Sequence, residues 1–325
     1  MFLLYFKYSK ETSFPEKEEL KMRILKNKTR QWAESKWLLG ICLNGFDDLK
    51  RGHIQWIDNG KYAEEKWFAD PFILDYDADT IHLLVEEFDY KVHRGRIAKL
   101  TIDRRNWIVI KCKIILDLDT HLSFPMIWRE GSEIFVCPEN YESGGWNLYR
   151  YNESQEKLEF VKRIIDEKLT DAIIWKKENG YWLLSTYEPR PNGHDLTIWR
   201  SNVLDGPYIK TQSIQFNENI GRNAGMLFGY GDILIRPAQE CNHVYGHSLS
   251  FQQVAFLDGK FGFKEIYRFN SPHPVYDVGT HTYNQYMEMA VVDVKGYRHR
   301  KIAKILIVLF SFFILLGLKK RPALK

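Results

Sequence analysis

The chain has 325 residues, of which 45% are hydrophobic and 15% aromatic, a composition that suits one large strand-rich domain. The net charge of +4 comes from residues 295–325, which hold nine Lys and Arg and no Asp or Glu, so the rest of the chain is net −5. A slightly acidic domain with a basic tail lacks the basic stripe that nucleic-acid binders need, and we expect no nucleic-acid partner.

The N-terminal region, residues 1–36, is predicted to be an arm outside the folded domain. Phe2–Phe6 is too short for the hydrophobic region of a signal peptide, and Lys7 and Lys10 interrupt the apolar run. Glu16–Glu34 is charged and has a helical period, which fits either a surface helix or a disordered arm. The sequence therefore predicts no signal peptide.

Residues 37–294 contain five repeats, each opened by a small or acidic residue and a short apolar run. With Pro71, Pro125, Ala172, Ala224 and Thr282 as equivalent positions, the spacings are 54, 47, 52 and 58 residues. A period near fifty built from short strands is typical of a β-propeller with one four-stranded blade per repeat. We therefore predict an all-β fold, a five-bladed β-propeller rather than one of four or six blades.

The strands of the later repeats are separated by clusters of Gly, Pro, Asn and Asp, which favour turns. The fifth repeat has two clear strands, so Trp37–Leu43 is expected to supply a closing strand. The predicted strands are Asp171–Lys176, Tyr181–Thr186, Asp195–Arg200 and Tyr208–Phe216 in the third repeat, Ala224–Phe228, Asp232–Pro237, Tyr245–Val254 and Phe261–Phe269 in the fourth, and Thr280–Tyr286 and Met289–Val294 in the fifth.

The C-terminal segment, residues 295–325, is apolar from Ile305 to Leu318 apart from Ser311 and Gly317, with basic residues on both sides. Seventeen residues from Ile302 are the short end of a membrane span. The alternative is a terminal helix or strand packed on the propeller. We expect a membrane-associated helix and a location on the cytoplasmic side of a membrane.

The scattered cysteines, Cys42, Cys112, Cys137 and Cys241, fit reduced core thiols.

Asp70 and Asp171 open equivalent inner strands in the first and third repeats. A propeller brings the starts of its inner strands together around one axis, in what we call the funnel. Two carboxylates that converge on one cavity are what glycosidic chemistry requires, since one activates water or attacks and another carboxyl group protonates the leaving oxygen. The alternative for each aspartate is a residue that only starts a strand or turn.

The segments Trp67–Phe72 and Leu83–Phe88 resemble the first blade of the five-bladed furanosidase-type propellers of glycoside hydrolase family 43. A closer resemblance, over roughly Trp37–Val294, is to the N-terminal domain of plant glucosamine inositolphosphorylceramide transferases and its bacterial counterparts. This resemblance implies a role in envelope polysaccharide synthesis beside a sugar-modifying partner enzyme. Its motifs are His121–Pro125, Pro138–Asn140, Gly221–Gly225, Arg236–Cys241, Tyr245–Gly246 and His281–Asn284.

Compared with the hydrolases, this sequence lacks one carboxyl group. The resemblance matches Asp70 to the general base and Asp171 to the carboxylate that tunes the pKa of the acid. The position of the general acid falls within Gly221–Ala224, where Arg222 cannot deliver a proton. Loss of a general acid typically removes on the order of 10²–10⁴ in rate. Either another carboxyl group has taken this role, or the funnel binds a glycan without cleaving it; the candidates are Glu240, Glu139 and Glu87.

The remaining candidates suit recognition of anions or sugars, although each could instead be structural, as a buried ion pair or a hydrogen-bonded histidine. We expect Asp70, Asp171, Arg222, Arg236, Gln239, Glu240 and His281 to cluster at one end of the channel, with the two aspartates within roughly 12 Å, a limit set above the carboxyl separations of glycosidases. The ligand-binding candidates are Glu87, His121, Glu139, Arg222, Asn223, Arg236, Gln239, Tyr245, His281 and Asn284.

The predicted function is a carbohydrate-recognising propeller that acts in the synthesis or modification of a surface polysaccharide or glycolipid. The alternative is an active glycoside hydrolase or transglycosylase with Asp70 as base or nucleophile. The sequence has no Gly-rich phosphate loop and no metal-spaced cluster of His and Cys, so we predict neither a cofactor nor a metal.

Overall fold

The computed structural model describes residues 34–177, 180–303 and 305–306, and its architecture is five four-stranded sheets. In chain order the strands are β1 Ser35–Cys42, β2 Gln55–Trp56, β3 Lys66–Tyr76, β4 Thr80–Asp89, β5 Gly95–Asp103, β6 Ile108–Leu116, β7 Ser123–Glu130, β8 Glu133–Glu139, β9 Trp146–Asn152, β10 Lys157–Ile165, β11 Leu169–Lys177, β12 Gly180–Tyr187, β13 Asp195–Ser201, β14 Ile209–Gln215, β15 Phe228–Tyr230, β16 Ile233–Glu240, β17 Ser248–Leu257, β18 Lys260–Phe269, β19 Tyr283–Tyr286 and β20 Met289–Tyr297. An α-helix, α1, spans Gly45–Arg51, and 3₁₀ turns lie at Gly60–Tyr62 and Tyr141–Ser143.

The first four blades each use four consecutive strands, β3–β6, β7–β10, β11–β14 and β15–β18. The fifth blade combines both ends of the domain, in the order β19-β20-β1-β2. The five-bladed propeller is therefore confirmed, and β1 is the closing strand expected at Trp37–Leu43. Because β1 pairs with β20 in the last sheet, hydrogen bonds between the two ends of the domain close the ring.

Apolar side chains fill the spaces between neighbouring blades, as the alternation of inward and outward residues along the strands requires. One cluster joins the first four blades, a second joins the fifth blade to the first, and a third joins the fourth to the fifth. The third cluster includes Phe46 of α1, which packs on Phe228 and Phe251. Burial thus continues around the whole ring, and residues Lys36–Gly296 belong to one compact unit.

Helix α1 was not expected from the sequence. It has only seven residues, too few for a helical period to stand out, but it carries acidic residues in its first turn and basic residues in its last. Gly52 ends it in the left-handed conformation at φ 72°. The helix holds Phe46 in the core between the last two blades.

The inner edge of the fourth blade also differs from the expected strand Ala224–Phe228, because β15 begins only at Phe228. The preceding segment makes one bridge in its own blade, Asn223 to Ala238. It then turns toward the fifth blade, where Tyr283 N donates to Ala224 O at 2.8 Å. A Cβ at Gly225 would lie 1.9 Å from Tyr283 O, so glycine is required for this approach.

The terminal segments fall largely outside the described residues. The predicted helix or arm at Glu16–Glu34 lies outside them except for Glu34, whose carboxylate pairs with Arg298 at 3.2 Å. Residues 300–303 are helical, and only Ile305 and Leu306 of the apolar run are described. Within the described part of the chain, no helix is both long and apolar enough to cross a membrane.

Candidate functional site

Three inner strands contain the same kind of β-bulge, which positions the candidate site. In β3, β7 and β11, two residues face one residue of the neighbouring strand, and the first of the two has a positive φ: Asp70 at 50°, Phe124 at 42° and Asp171 at 45°. This backbone is uncommon for residues other than glycine and is associated with functional sites. The shared bulge turns equivalent residues of three blades in the same way.

Asp70 connects three blades through its carboxylate. It accepts hydrogen bonds from Phe124 N of the second blade at 3.1 Å and from the Thr282 hydroxyl of the fifth blade at 2.6 Å. His281 Nε2 lies 3.6 Å from the same carboxylate, and His281 Nδ1 lies 2.7 Å from Asp293 Oδ2. We call Asp70, His281 and Asp293 the acid–histidine cluster.

The pKa values of Asp70 and His281 are both raised in this cluster. Burial raises the pKa of Asp70 to about 7; His281 opposes the shift, while the Asp171, Glu86 and Asp293 carboxylates add to it. Burial disfavours the charged form of His281, but the Asp293 and Asp70 carboxylates outweigh this and raise its pKa above the usual value. The cluster can therefore exchange a proton near neutral pH.

Asp171 lies in a second group, built on a fixed positive charge. Arg222 Nε donates to Asp171 Oδ2 at 2.6 Å, and a terminal nitrogen of Arg222 donates to Glu139 Oε2 at 3.1 Å. Gln239 Nε2 also donates to Asp171 Oδ2, at 2.5 Å. Burial raises the pKa of Glu139 well above its usual range, although Arg222 opposes this. We call Asp171, Glu139 and Arg222 the arginine cluster.

Tyr245 lies between the two clusters, in the connection from β16 to β17. Its ring is 5.2 Å from the Arg222 guanidinium and 5.2 Å from Lys295 Nζ, and its edge meets the His281 ring at 5.4 Å. Trp37 of β1 stacks on the other side of His281, with ring centroids 3.8 Å apart. Aromatic faces and cations therefore alternate across this part of the funnel.

A cavity of about 670 Å³ opens beside the arginine cluster, a volume within the usual range for small-molecule sites. Arg222 and Tyr245 form part of its wall, together with groups from the second and third blades. The full lining is Tyr141, Lys168, Thr170, Glu188, Pro189, Pro191, Asn192, Arg222 and Tyr245. The cavity thus combines aromatic faces, amide and hydroxyl groups, and charges of both signs.

Several predicted site residues are buried and form hydrogen bonds between or within neighbouring blades. Asn223 Nδ2 donates to Asp171 O and to Leu184 O, both at 2.8 Å, and its oxygen accepts from Arg236 Nε at 2.8 Å. The other Arg236 nitrogens donate to neutral acceptors, including Gln252 Oε1 at 2.8 Å. Asn284 bridges blades in a similar way, donating to Pro71 O at 3.0 Å and accepting from Met226 N at 2.9 Å.

Two predicted carboxylates point elsewhere. Glu87 is enclosed within the first blade by Lys66 Nζ at 2.6 Å and by two Arg96 nitrogens at 2.9 and 3.0 Å. Glu240 binds His247 Nδ1 at 2.6 Å and the Ser248 hydroxyl at 2.9 Å, both at the start of β17. Neither carboxylate hydrogen-bonds to the acid–histidine or arginine cluster within the part of the chain that the structure describes.

Glu86 takes the place expected for Glu87, because successive residues of a strand face opposite ways. Its carboxylate lies 3.3 Å from His121 Nε2, and His121 Nδ1 accepts a hydrogen bond from Gly95 N at 3.0 Å. Burial lowers the tendency of His121 to protonate, but Glu86 outweighs it and raises the pKa. The predicted His121 is thus positioned by a neighbour that sequence reasoning missed.

Asp293, Lys295 and Trp37 were also missed. They lie in the second and third strands of the fifth blade, where no repeat comparison marks them. One available signal was the pair of charged residues at positions 293 and 295 of an otherwise apolar strand, β20. The same two-residue period places both on one face of that strand.

The acid–histidine cluster also has the composition of a metal site, since Asp70, His281 and Asp293 each offer one ligand atom within 4.8 Å of the others. Hydrogen-bond donors of the protein already occupy much of this possible ligand set. Asp293 Oδ1 accepts from the backbone N–H groups of His281 and Thr282, each at 3.0 Å, and Asp293 Oδ2 accepts from Asp70 N at 3.1 Å. Protein donors therefore account for this arrangement, which suits proton exchange and hydrogen bonding.

Comparison with known proteins gives a family match and a fold match. The family model described as glucosamine inositolphosphorylceramide transferase 1, N-terminal, matches residues 57–292. Glucosamine inositolphosphorylceramide transferase 1 of Arabidopsis thaliana is 32% identical over 212 residues, which are 62% of this chain and 26% of that protein. The protein of the same name from Oryza sativa subsp. japonica is 28% identical over 207 residues, 61% of this chain and 27% of the relative. The match thus spans about a quarter of the length of these curated relatives.

Among solved structures, a thermostable family-43 glycoside hydrolase superposes with a TM-score of 0.51. The sequences are 12% identical, and the superposition covers 68% of this chain and 84% of the hydrolase. At this identity the similarity establishes the propeller fold alone.

Proposed function

Because the chain belongs to the family of the N-terminal domain of glucosamine inositolphosphorylceramide transferase 1, we propose that its propeller binds the carbohydrate part of a glycolipid or surface polysaccharide during its synthesis or modification. The relatives are named as transferases of a sugar to a phosphorylated lipid, and the matched part is the propeller. A separate sugar-modifying enzyme is the partner that we propose.

The arginine cluster is the observation that supports a binding function rather than a cleaving one. Glycoside hydrolysis by two carboxyl groups needs one of them to give up a proton to the leaving oxygen. The segment that the resemblance matches to this acid, Gly221–Ala224, contains no carboxyl group, and its Arg222 donates to Asp171 Oδ2 at 2.6 Å. A guanidinium stays charged at any working pH and cannot act as that acid. The cluster is therefore suited to orienting a ligand through fixed charges.

The cavity beside this cluster supports a sugar ligand. Tyr141 and Tyr245 offer aromatic faces on which a sugar ring can lie, and Asn192 and Thr170 offer hydrogen-bonding groups for hydroxyls. Asn192 already accepts from Arg222 at 2.9 Å, so its amide nitrogen is directed by this contact. A small set of oriented polar groups on apolar walls is the usual composition of a carbohydrate site.

The second candidate function is an active hydrolase or transglycosylase with Asp70 as base or nucleophile. Two observations favour it. The pKa of Asp70 is about 7, close to that of an effective general base, and burial keeps Glu139 protonated to higher pH than an ordinary carboxyl group. Glu139 would then have to release Arg222 in order to protonate a leaving group.

Asp70→Asn distinguishes the two functions, since the amide retains the shape and can still accept from Phe124 N and donate to Thr282. Binding and hydrolysis are measured on a panel of furanosides and pyranosides, by calorimetry and by release of a chromogenic aglycone. If the funnel only binds, the parent releases no aglycone, and the variant still binds with reduced affinity.

The control is Asp75→Asn on the same strand, whose carboxylate is exposed and pairs with His82 at 2.5 Å. Cleavage by the parent that Asp70→Asn abolishes and Asp75→Asn preserves would replace the binding proposal with the hydrolase. No binding of any sugar by the parent would reject both.

We also propose that residues 305–318 attach the propeller to the cytoplasmic side of a membrane; the support is their apolar composition and basic flanks. A chain that ends at Lys301 should remain folded and move from the membrane fraction to the soluble fraction. Fractionation and circular dichroism check both statements. Loss of folding would instead place the segment in the core.

A further inference from the structure

Lys295 is a positively charged side chain at the funnel that the proposed function leaves unused. It lies two residues after Asp293 on β20, and therefore on the same face of that strand. Its ammonium lies 5.4 Å from the Trp37 ring and 5.2 Å from the Tyr245 ring. Tyr245 is also part of the cavity wall, so Lys295 contacts a residue of the proposed carbohydrate site.

The ammonium of Lys295 has three donors and few acceptors. Its hydrogen bond to Tyr245 O is 3.3 Å long. In the described ranges, no carboxylate oxygen lies within the 4.0 Å of an ion pair. Lys66 shows what a structural lysine looks like in this protein, because its ammonium is 2.6 Å from Glu87 and 3.6 Å from Asp89. Among the residues that the structure describes, Lys295 has no comparable anion.

Asp293 is close enough to interact with Lys295 electrostatically, but its own oxygens are committed to His281 and to three backbone N–H groups. Burial lowers the pKa of Lys295 to about 8, and the nearby Cys241 and Asp293 only partly oppose this. A lysine that is partly desolvated without an anion is costly, and an anionic ligand would remove the cost. Arg222, whose guanidinium lies 5.2 Å from the same Tyr245 ring, adds a second positive charge.

We propose that Lys295 binds an anionic group of the carbohydrate ligand, a phosphate ester or a carboxylate, with Trp37 and Tyr245 enclosing the contact. This inference rests on the proposed function and narrows its ligand to acidic carbohydrates. A lysine ammonium acts as a point charge and suits either group, whereas the donors of Arg222 are already directed at Asp171 and Glu139.

The test compares glucose, glucose 1-phosphate and glucuronate as probes, by calorimetry at pH 7 and low salt. The parent should bind at least one of the two acidic sugars about tenfold or more tightly than glucose. Lys295→Gln should reduce this ratio to about one, and Lys295→Arg should keep most of it. Because the readout is a ratio of affinities within one variant, a general loss of stability does not imitate the effect.

Lys264→Gln is the matched control, since it removes the same charge from an exposed position on the outer strand β18 and should leave the ratio unchanged. A parent that binds glucose and both acidic sugars equally would overturn this inference and leave the proposed function standing. An acidic preference that survives in Lys295→Gln would also overturn it. No binding of any sugar would instead count against the proposed function.

A lipid headgroup and a soluble sugar phosphate share this chemistry, and vesicles separate the two sources. Vesicles of phosphatidylcholine with one-fifth phosphatidylinositol are compared with phosphatidylcholine alone, using the full chain and its Lys295→Gln variant. Binding to the inositol lipid that Lys295→Gln removes, together with weak binding of glucose 1-phosphate, would identify a headgroup. The opposite pattern would identify a soluble or polysaccharide-borne anion.

Discussion

The acid–histidine cluster and the arginine cluster are built on equivalent bulges, one in the first blade and one in the third, yet the two clusters are electrostatically different. Asp70 faces His281, whose charge depends on pH, and its pKa is about 7. Asp171 faces Arg222, whose charge does not change, at 2.6 Å. One side of the funnel therefore has a partner whose charge depends on pH, while the other has a partner with a fixed positive charge.

This difference shows that repeat symmetry determines where a carboxylate lies but not what it can do. The bulge gives Asp70 and Asp171 equivalent backbones, with φ of 50° and 45°. Their roles are decided by the neighbouring blade, which supplies a histidine to one and an arginine to the other. Removing each partner separately tests this interpretation.

The largest effect is expected for Arg222→Met. The guanidinium neutralises the buried carboxylates of Asp171 and Glu139, and its loss leaves them without a counter-charge. Breaking a buried ion pair typically costs about 3–5 kcal/mol, so the free energy of unfolding should fall by about that much. Chemical denaturation at pH 7 measures the change.

Arg268→Met is the control, because Arg268 pairs with Glu218 and Glu265 on the half-exposed outer strand β18. Exposed pairs contribute about 0–1 kcal/mol. Equal losses in the free energy of unfolding for the two variants would mean that the arginine cluster contributes no more than an exposed ion pair. The proposed electrostatic difference between the two clusters would then be wrong.

A smaller effect, on the other side of the funnel, is expected from pH. The pKa of Asp70 in the folded protein, about 7, lies above its ordinary value of 3.8, so the folded state binds this proton more tightly than the unfolded state. The stability gained from Asp70 is present at low pH and declines as the pH rises from about 4 to about 7. A tenfold change in proton affinity is about 1.4 kcal/mol, so the decline is at most about 4 kcal/mol.

Asp70→Asn should therefore lose less stability than the parent between pH 4.5 and pH 7.5, as measured by chemical denaturation at both values. His281, whose pKa is raised by Asp293 and Asp70, contributes a decline of the same sign above its ordinary value of 6.5. Some pH dependence should remain in the variant. Identical pH profiles for parent and variant would show that Asp70 stays ionised in the folded protein.

The sequence predicted the positions that the repeats share and missed those that depend on a single blade. Asp70 and Asp171 could be found because equivalent strand starts recur about every fifty residues. Trp37 and Asp293 reach the funnel through the closing blade, which joins the two ends of the domain and has no equivalent in the pattern. Arg236 and Glu240 looked like funnel residues, but their side-chain partners, Asn223 for Arg236 and His247 for Glu240, are set by tertiary packing.

The choice between Glu86 and Glu87 was open to sequence reasoning in principle. Ala69 pairs with Glu86 and Phe68 with Glu87, so a known register would have placed Glu86 beside the bulge. Two adjacent glutamates in an apolar run give no register by themselves, since a shift by one residue exchanges their faces. The resemblance to known blades identified the segment that contains Glu86 and Glu87, but not which of the two faces the funnel.

The smallest expected effect tests that assignment. Glu86 lies 3.3 Å from His121 Nε2 and helps to raise the pKa of His121, whereas Glu87 is held by Lys66 and Arg96 on the other face of β4. Glu86→Gln should lower the pKa of His121, as followed by the imidazole resonances in NMR titrations, because it removes a negative charge close to the protonated ring.

Glu87→Gln, the matched control, should leave that titration unchanged and instead reduce stability, because it leaves Lys66 and Arg96 without their shared carboxylate. A shift of the His121 titration in Glu87→Gln but not in Glu86→Gln would reverse the facing of β4. Since the register of β4 against β3 also sets the bulge at Asp70, such a result would require the acid–histidine side of the funnel to be redrawn, while the arginine cluster on the third blade would be unaffected.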